Sequence, residues 1–163
     1  MFVHDFNPIL VDIGPISIRW YSLAYIFGIL LGLYYGKYLI KNLSTKIKVS
    51  EKNLDDYLIW AVIGIVLGGR IGYVFFYNFT YYFENPVEIL KIWNGGMSFH
   101  GGLIGIILSS FLFSKKNDIS FWSLTDLIAC ISPIGIFFGR IANFINSELV
   151  GKVSNLPWSF IFP

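Results

Sequence analysis

Four long apolar stretches separated by short polar connections dominate the chain. They run from about Ser17 to Ile40, Tyr57 to Tyr77, Met97 to Phe113 and Phe121 to Ile145. About 20 apolar residues carry a helix across the hydrocarbon layer, so each stretch predicts a transmembrane helix, the third being the shortest. Charge falls between the stretches, and unevenly. Lys37, Lys41, Lys46, Lys48 and Lys52 crowd the first connection, and Lys115 and Lys116 mark the third. The second, about Asn78 to Gly96, sets Glu84 and Glu88 against Lys91. Lys-rich loops stay on the cytoplasmic side, which places the N-terminus outside. The expectation is an all-α integral membrane protein of about four transmembrane helices, with residues 1–163 forming one membrane domain. Residues 1–17 carry Asp5 and Asp12 but no Lys or Arg. They therefore lack the basic start of a secretory signal, and the chain is expected to enter the membrane through its own helices.

Glycines recur at every fourth residue within the spans: Gly28, Gly32 and Gly36, then Gly64, Gly68 and Gly72, then Gly101 and Gly105, then Gly135 and Gly139. Such spacing strips one helix face of side chains and predicts tight packing through glycine faces. Composition agrees. Hydrophobic residues make up 55% of the chain and charged residues 13%, with a mean hydropathy of +0.65, too apolar for a soluble domain of this size. The net charge of +2 comes with no basic stripe, which excludes a nucleic-acid surface. Aromatic residues reach 19%, and Tyr77, Tyr81, Tyr82, Phe83 and Trp93 are expected to form an interfacial belt. Cys130, the lone cysteine, lies in an apolar run and reads as a small buried hydrophobe, not a nucleophile.

Polar groups inside the apolar stretches are costly and tend to mark function. On helices oriented as above, Tyr21, Tyr25, Arg70, His100 and Arg140 all fall toward the outer side, with Asp126 near the inner end of the fourth span. Arg140, Asn143 and Asn146 are spaced by three residues, which keeps them within an arc of about 120° on one helix face. A buried arginine needs an acid, and Glu148 is the candidate. Asn146 reads equally as a helix cap or as a ligand. Arg70 reads equally as a lipid-phosphate ligand or as an internal pairing residue. His100 sits among Gly95, Gly96, Gly101, Gly102 and Gly105, where backbone can approach a ligand closely and a helix start would favour an anion. An imidazole there suits a general base or a hydrogen-bond donor. His4 and His100 are the two imidazoles, and no acid cluster accompanies them, so neither a metal nor a cofactor is expected. These residues read as a cationic pocket that opens to the outer leaflet and fits an anionic lipid head group.

The segment 139–151, Gly-Arg-Ile-Ala-Asn-Phe-Ile-Asn-Ser-Glu-Leu-Val-Gly, resembles the signature of the prolipoprotein diacylglyceryl transferases. Residues 98–105, 68–78 and 18–21 resemble further blocks of that family, in the same order. The resemblance implies transfer of the diacylglyceryl group of phosphatidylglycerol to the lipobox cysteine thiol of a prolipoprotein, at the bacterial inner membrane. It further implies that Arg140 holds the lipid phosphate and that His100 assists thiol deprotonation or orients the lipid. Tyr21, Asn143, Glu148 and Gly151 would shape the head-group site, with Asn146 and Arg70 as further binding candidates. Family members extend beyond the signature into a periplasmic head region and more membrane helices, which carry another essential arginine and supporting glutamates. The chain is thus expected to match their N-terminal part. It would be a transferase, alone or with a second polypeptide that completes the fold. The alternatives are a truncated, non-catalytic lipid-binding remnant and, ranked last, a small transporter.

Overall fold

A computed structural model describes residues 2–14, 16–43 and 48–162. Lys46, part of the first basic connection, lies outside them. In chain order the elements are β1 (Phe2–Val3), β2 (Ile9–Ile13), β3 (Ile16–Arg19), α1 (Trp20–Asn42), α2 (Glu51–Tyr77) and α3 (Phe79–Glu84). Two short 3-10 turns follow at Pro86–Leu90 and Ile92–Asn94, then α4 (Phe99–Lys116), α5 (Phe121–Ile145) and β4 (Phe160–Ile161). The protein is an all-α membrane protein, and the four strands among the described residues are short. Among the described residues three helices, α1, α2 and α5, are long and apolar enough to cross a membrane. Helix α4, the expected third span, has 18 residues and ends on Lys115 and Lys116, and it falls short of that measure.

Element boundaries shift for local reasons. Helix α1 begins at Trp20 and not Ser17, because residues 16–19 pair antiparallel with β2. Gly14 turns that hairpin with a φ of 60°, a conformation glycine adopts without strain. Helix α2 begins at Glu51, where the Ser50 side chain accepts the Asn53 N–H at 3.1 Å as an N-cap. Lys37, Lys41 and Lys52 therefore lie on helices and not in a loop. Lys37 pairs with Asp55 at 2.8 Å and Lys41 with Glu51 at 3.7 Å.

The chain forms two compact units, Lys37–Ile128 and Met1–Gly36 with Ala129–Pro163. In the first of these, α2 and α4 meet backbone to backbone. A Cβ built on Gly64 would lie 2.6 Å from the Gly105 carbonyl oxygen, and one on Gly72 would lie 2.7 Å from the Gly101 Cα. Large side chains fill the space beyond the glycine run. There Phe113, 1% exposed, meets the rings of Tyr57 and Trp60 at 5.3 and 5.9 Å. Two hydroxyls are paired locally: the Tyr57 hydroxyl shares a hydrogen bond with Ser110 Oγ at 2.6 Å, and Ser110 donates on to the Ile106 carbonyl at 2.7 Å.

In the other unit, α1 approaches α5 where a Cβ on Gly28 would lie 3.1 Å from the Gly135 Cα, beside the stacked rings of Phe27 and Phe138. A Cβ on Gly135 or Gly139 meets no described atom within 4 Å. Gly135 thus offers its backbone to α1, while the Cβ directions of Gly135 and Gly139 stay open. Strand β1 pairs parallel with β4, matching Phe2 to Phe160 and Val3 to Ile161. Cys130 is exposed on α5, not buried as expected.

The two glycine environments predict opposite responses to one added methyl. Gly105→Ala forces the α2–α4 backbones apart and should destabilise the fold by about 1–3 kcal/mol. Gly135→Ala gains helix propensity without a clash and should be neutral, or stabilising by up to ~1 kcal/mol. Thermal unfolding in detergent distinguishes the pair.

Candidate functional site

Helix α5 ends without a glycine. The chain reverses instead at Ser147, which takes a left-handed φ of 56°. Ser147 N–H donates to the Phe144 carbonyl at 3.1 Å and Glu148 N–H donates to the Asn143 carbonyl at 2.8 Å, the two back-bonds of a Schellman cap. Leu149 is left-handed as well, at φ 53°. Non-glycine residues in that region cost roughly 1–2 kcal/mol each. Strain of this kind, held in place by its surroundings, concentrates at functional sites.

The cap has a chemical consequence. It folds Glu148 back over the last turn of α5, where its Oε2 accepts from Asn143 Nδ2 at 2.8 Å. The same nitrogen donates to the Tyr21 hydroxyl oxygen at 3.2 Å. Tyr21 is the second residue of α1, delivered there by the β2–β3 hairpin that runs directly into the helix. Both Asn143 amide protons are thereby used. The Tyr21 hydroxyl is the acceptor in this bond, and a hydroxyl that accepts can also donate its own proton.

Arg140, Asn143, Glu148 and Gly151 line one cavity of about 190 Å³, together with Phe144 and Phe162. Sequence reasoning offers Glu148 as the acid for Arg140, but the structure pairs Glu148 with Asn143. The reason is geometric, since the cap carries Glu148 to the turn below Asn143. Arg140 is exposed and forms no ion pair among the described residues. An unpaired guanidinium beside fixed hydrogen-bond groups can bind a phosphate or carboxylate in bidentate fashion. Gly151 has open space where a Cβ would sit, so packing within the protein does not require glycine there. Asn146 is absent from the lining. Its backbone N–H closes on the Ala142 carbonyl at 2.9 Å, while its Oδ1 is buried without a partner among the described residues.

Arg70 and His100 belong to the other unit. Arg70 is 4% exposed, and its five N–H groups all point at backbone carbonyls. Nε donates to Ile89 at 2.9 Å, one terminal nitrogen to Gly95 and Gly96, and the other to Glu88 and Lys91. The Tyr82 ring covers it at 5.0 Å, so this buried tyrosine serves the arginine and not the expected interfacial belt. Of the two readings of Arg70, the geometry carries internal pairing, because no donor is left for a lipid phosphate. The cage also sets the start of α4. Ser98 N–H donates to the Gly69 carbonyl at 2.9 Å, and the Ser98 side chain accepts from the Gly101 N–H at 3.2 Å. His100 follows on the exposed first turn of α4, its ring edge-on to Phe99 at 5.5 Å.

Sequence reasoning passed over His4, which the structure buries beside Ser147. Its three ring neighbours, Phe6, Phe144 and Phe162, include two from the far end of the chain, and no local pattern announces them.

A family model described as prolipoprotein diacylglyceryl transferase matches residues 8–163. The chain is 53% identical over 161 residues to the phosphatidylglycerol–prolipoprotein diacylglyceryl transferase of Allorhizobium ampelinum, covering 96% of this chain and 56% of that protein. It is 52% identical over 163 residues to the protein of the same name in Rhizobium meliloti, covering 98% and 58%. For that of Rickettsia canadensis the identity is 50% over 163 residues, covering 100% and 62%. The chain thus spans 56% to 62% of the length of these relatives.

The carbonyl cage predicts that Arg70→Lys is not conservative. An ammonium offers three donors where the cage holds five acceptors. The lost charged hydrogen bonds should cost about 3 kcal/mol of stability, seen as a lowered midpoint of thermal unfolding in detergent.

Proposed function

Because the chain belongs to the prolipoprotein diacylglyceryl transferase family, we propose that it transfers the diacylglyceryl group of phosphatidylglycerol to the lipobox cysteine of a prolipoprotein. The observation that carries this reading is the unpaired Arg140 guanidinium in a cavity it shares with Asn143 and Glu148. Phosphatidylglycerol brings an anionic phosphodiester, which is the complement of that cation. In the reaction the thiol sulfur forms a bond to the glyceryl carbon, and the bond from that carbon to a phosphate oxygen breaks. The thiol loses its proton, and glycerol phosphate departs with the bonding electron pair.

Negative charge therefore grows on the departing phosphate, where Arg140 gains in interaction as the bond breaks. The Tyr21 hydroxyl, fixed by Asn143 and with its proton unassigned, donates to a head-group oxygen. Glu148 keeps Asn143 in register, and Gly151 leaves room for the head group. His100 takes up the thiol proton or orients the lipid. Asn146 stands as a weaker binding candidate through its buried carbonyl oxygen. The reactive thiol belongs to the peptide substrate, and Cys130 takes no part.

The lysine distribution supports an N-terminus outside and a fourth crossing by α4. The site would then open toward the outer leaflet of the bacterial inner membrane, where phosphatidylglycerol and exported prolipoproteins meet.

Turnover of the purified chain in detergent, with phosphatidylglycerol and a lipobox peptide, tests the reading through release of glycerol phosphate and lipidation of the peptide. Arg140→Gln should lower the rate roughly 10²–10³-fold, as expected for loss of one preorganised charge-stabilising group, and Cys130→Ser should leave it unchanged. Turnover indifferent to Arg140 would overturn the assignment. Phosphatidylglycerol binding without product would limit the residues described here to holding the lipid.

A further inference from the structure

His4 takes no part in the proposed chemistry, yet it is 3% exposed. Its backbone N–H donates to the Ile161 carbonyl at 2.9 Å, which continues the β1–β4 pairing. Its ring lies among those of Phe6, Phe144 and Phe162, with centroids 5.2, 5.1 and 4.9 Å away. Nδ1 is 3.2 Å from Ser147 Oγ, while Nε2 is buried with no partner among the described residues. A phenyl ring would fill this aromatic cage without burying an unpartnered nitrogen such as Nε2, so packing alone does not account for an imidazole here. What the imidazole adds is the bond to Ser147.

Ser147 is the left-handed residue on which the α5 cap turns. The next residue, Glu148, owes its place on Asn143 to that turn. We propose that His4 is a positioning residue: through Nδ1 it holds Ser147 left-handed and thereby sets Glu148 on Asn143. A continuous path of hydrogen bonds and one covalent step then runs from His4 through Ser147, Glu148 and Asn143 to the Tyr21 hydroxyl. The consequence for phospholipid binding rests on the transferase reading above, but the control of the turn does not.

The test compares His4→Phe, which keeps the ring and removes the nitrogen, with His4→Asn, whose amide reaches the position of Nδ1 but fills the cage poorly. Amide exchange of the 15N-labelled chain in detergent micelles is followed by NMR at Glu148, whose N–H bonds to Asn143. His4→Phe should speed exchange there about tenfold, the loss expected for one hydrogen bond, with the middle of α5 unchanged. His4→Asn should restore protection. Ser147→Ala, which removes the other partner and leaves the cage intact, should match His4→Phe, and the double variant should be no worse than either. Ser147→Ala also carries the test if a His4 variant fails to fold. A purely packing role predicts the reverse order, with His4→Phe silent and His4→Asn disruptive, and that order would overturn the proposal. Unchanged exchange in His4→Phe and Ser147→Ala would overturn it too. In the turnover assay, the KM for phosphatidylglycerol should rise about tenfold in His4→Phe while kcat changes less. Wild-type chain that gives no product counts against the transferase reading alone, since the exchange results still decide the role of His4.

Discussion

A polar group placed in hydrocarbon has no water to bond, so its partners must come from the protein itself. Arg70 shows how far the fold goes to meet that demand. A guanidinium on a membrane helix is neutralised by no acid and instead receives five carbonyl oxygens from the connection that follows α2. That connection can deliver the oxygens because it runs as irregular turns between residues 85 and 96, with carbonyls not engaged in a continuous helix. The segment is in turn pinned, and Ser98 starts α4 at a defined place. The same demand explains why α2 and α4 approach so closely. Glycine contacts need no polar side chains, and the hydroxyls of Tyr57, Ser109 and Ser110 bond to Ile106 or to one another.

The candidate site follows the opposite logic at the end of α5. An ion pair between Arg140 and Glu148 would have occupied guanidinium donors that an anion needs. Glu148 is instead bound by a neutral amide, so the cavity retains both a fixed carboxylate and a guanidinium that no described acid satisfies. The left-handed turn at Ser147 accompanies the placement of the carboxylate on Asn143. Local strain is thus exchanged for an arginine able to take a phosphate.

Much of this protein is legible in its sequence. The apolar stretches predict the long helices, and the fourth agrees with α5 at both ends, Phe121 and Ile145. The glycine spacing of α2 and α4 predicts the observed backbone contact. On α5 the same spacing meets a close approach at Gly135 and open space at Gly139, because spacing says which residues are small and not which face has a neighbour. Arg140, Asn143, Glu148 and Gly151 are recognisable as one group because they lie within a few turns of each other, and their relative directions follow from helix geometry and the turn after it.

What the sequence by itself determined is the set of periodic and local features: the helices, the nature of the medium around them, the family, and the residues that carry charge or amides. What only the tertiary structure decided is which partner each polar group takes. Arg70 could bind lipid or protein until the carbonyls of residues 88–96 were placed around it. Glu148 could serve Arg140 or Asn143 until the helix cap fixed its direction. His4 had no visible role until β4 and α5 brought Phe162, Phe144 and Ser147 to it. Hydrogen bonds act over about 3 Å and depend on angle, so partners remote in sequence are set by how the chain returns on itself, and a one-dimensional pattern holds no record of that return.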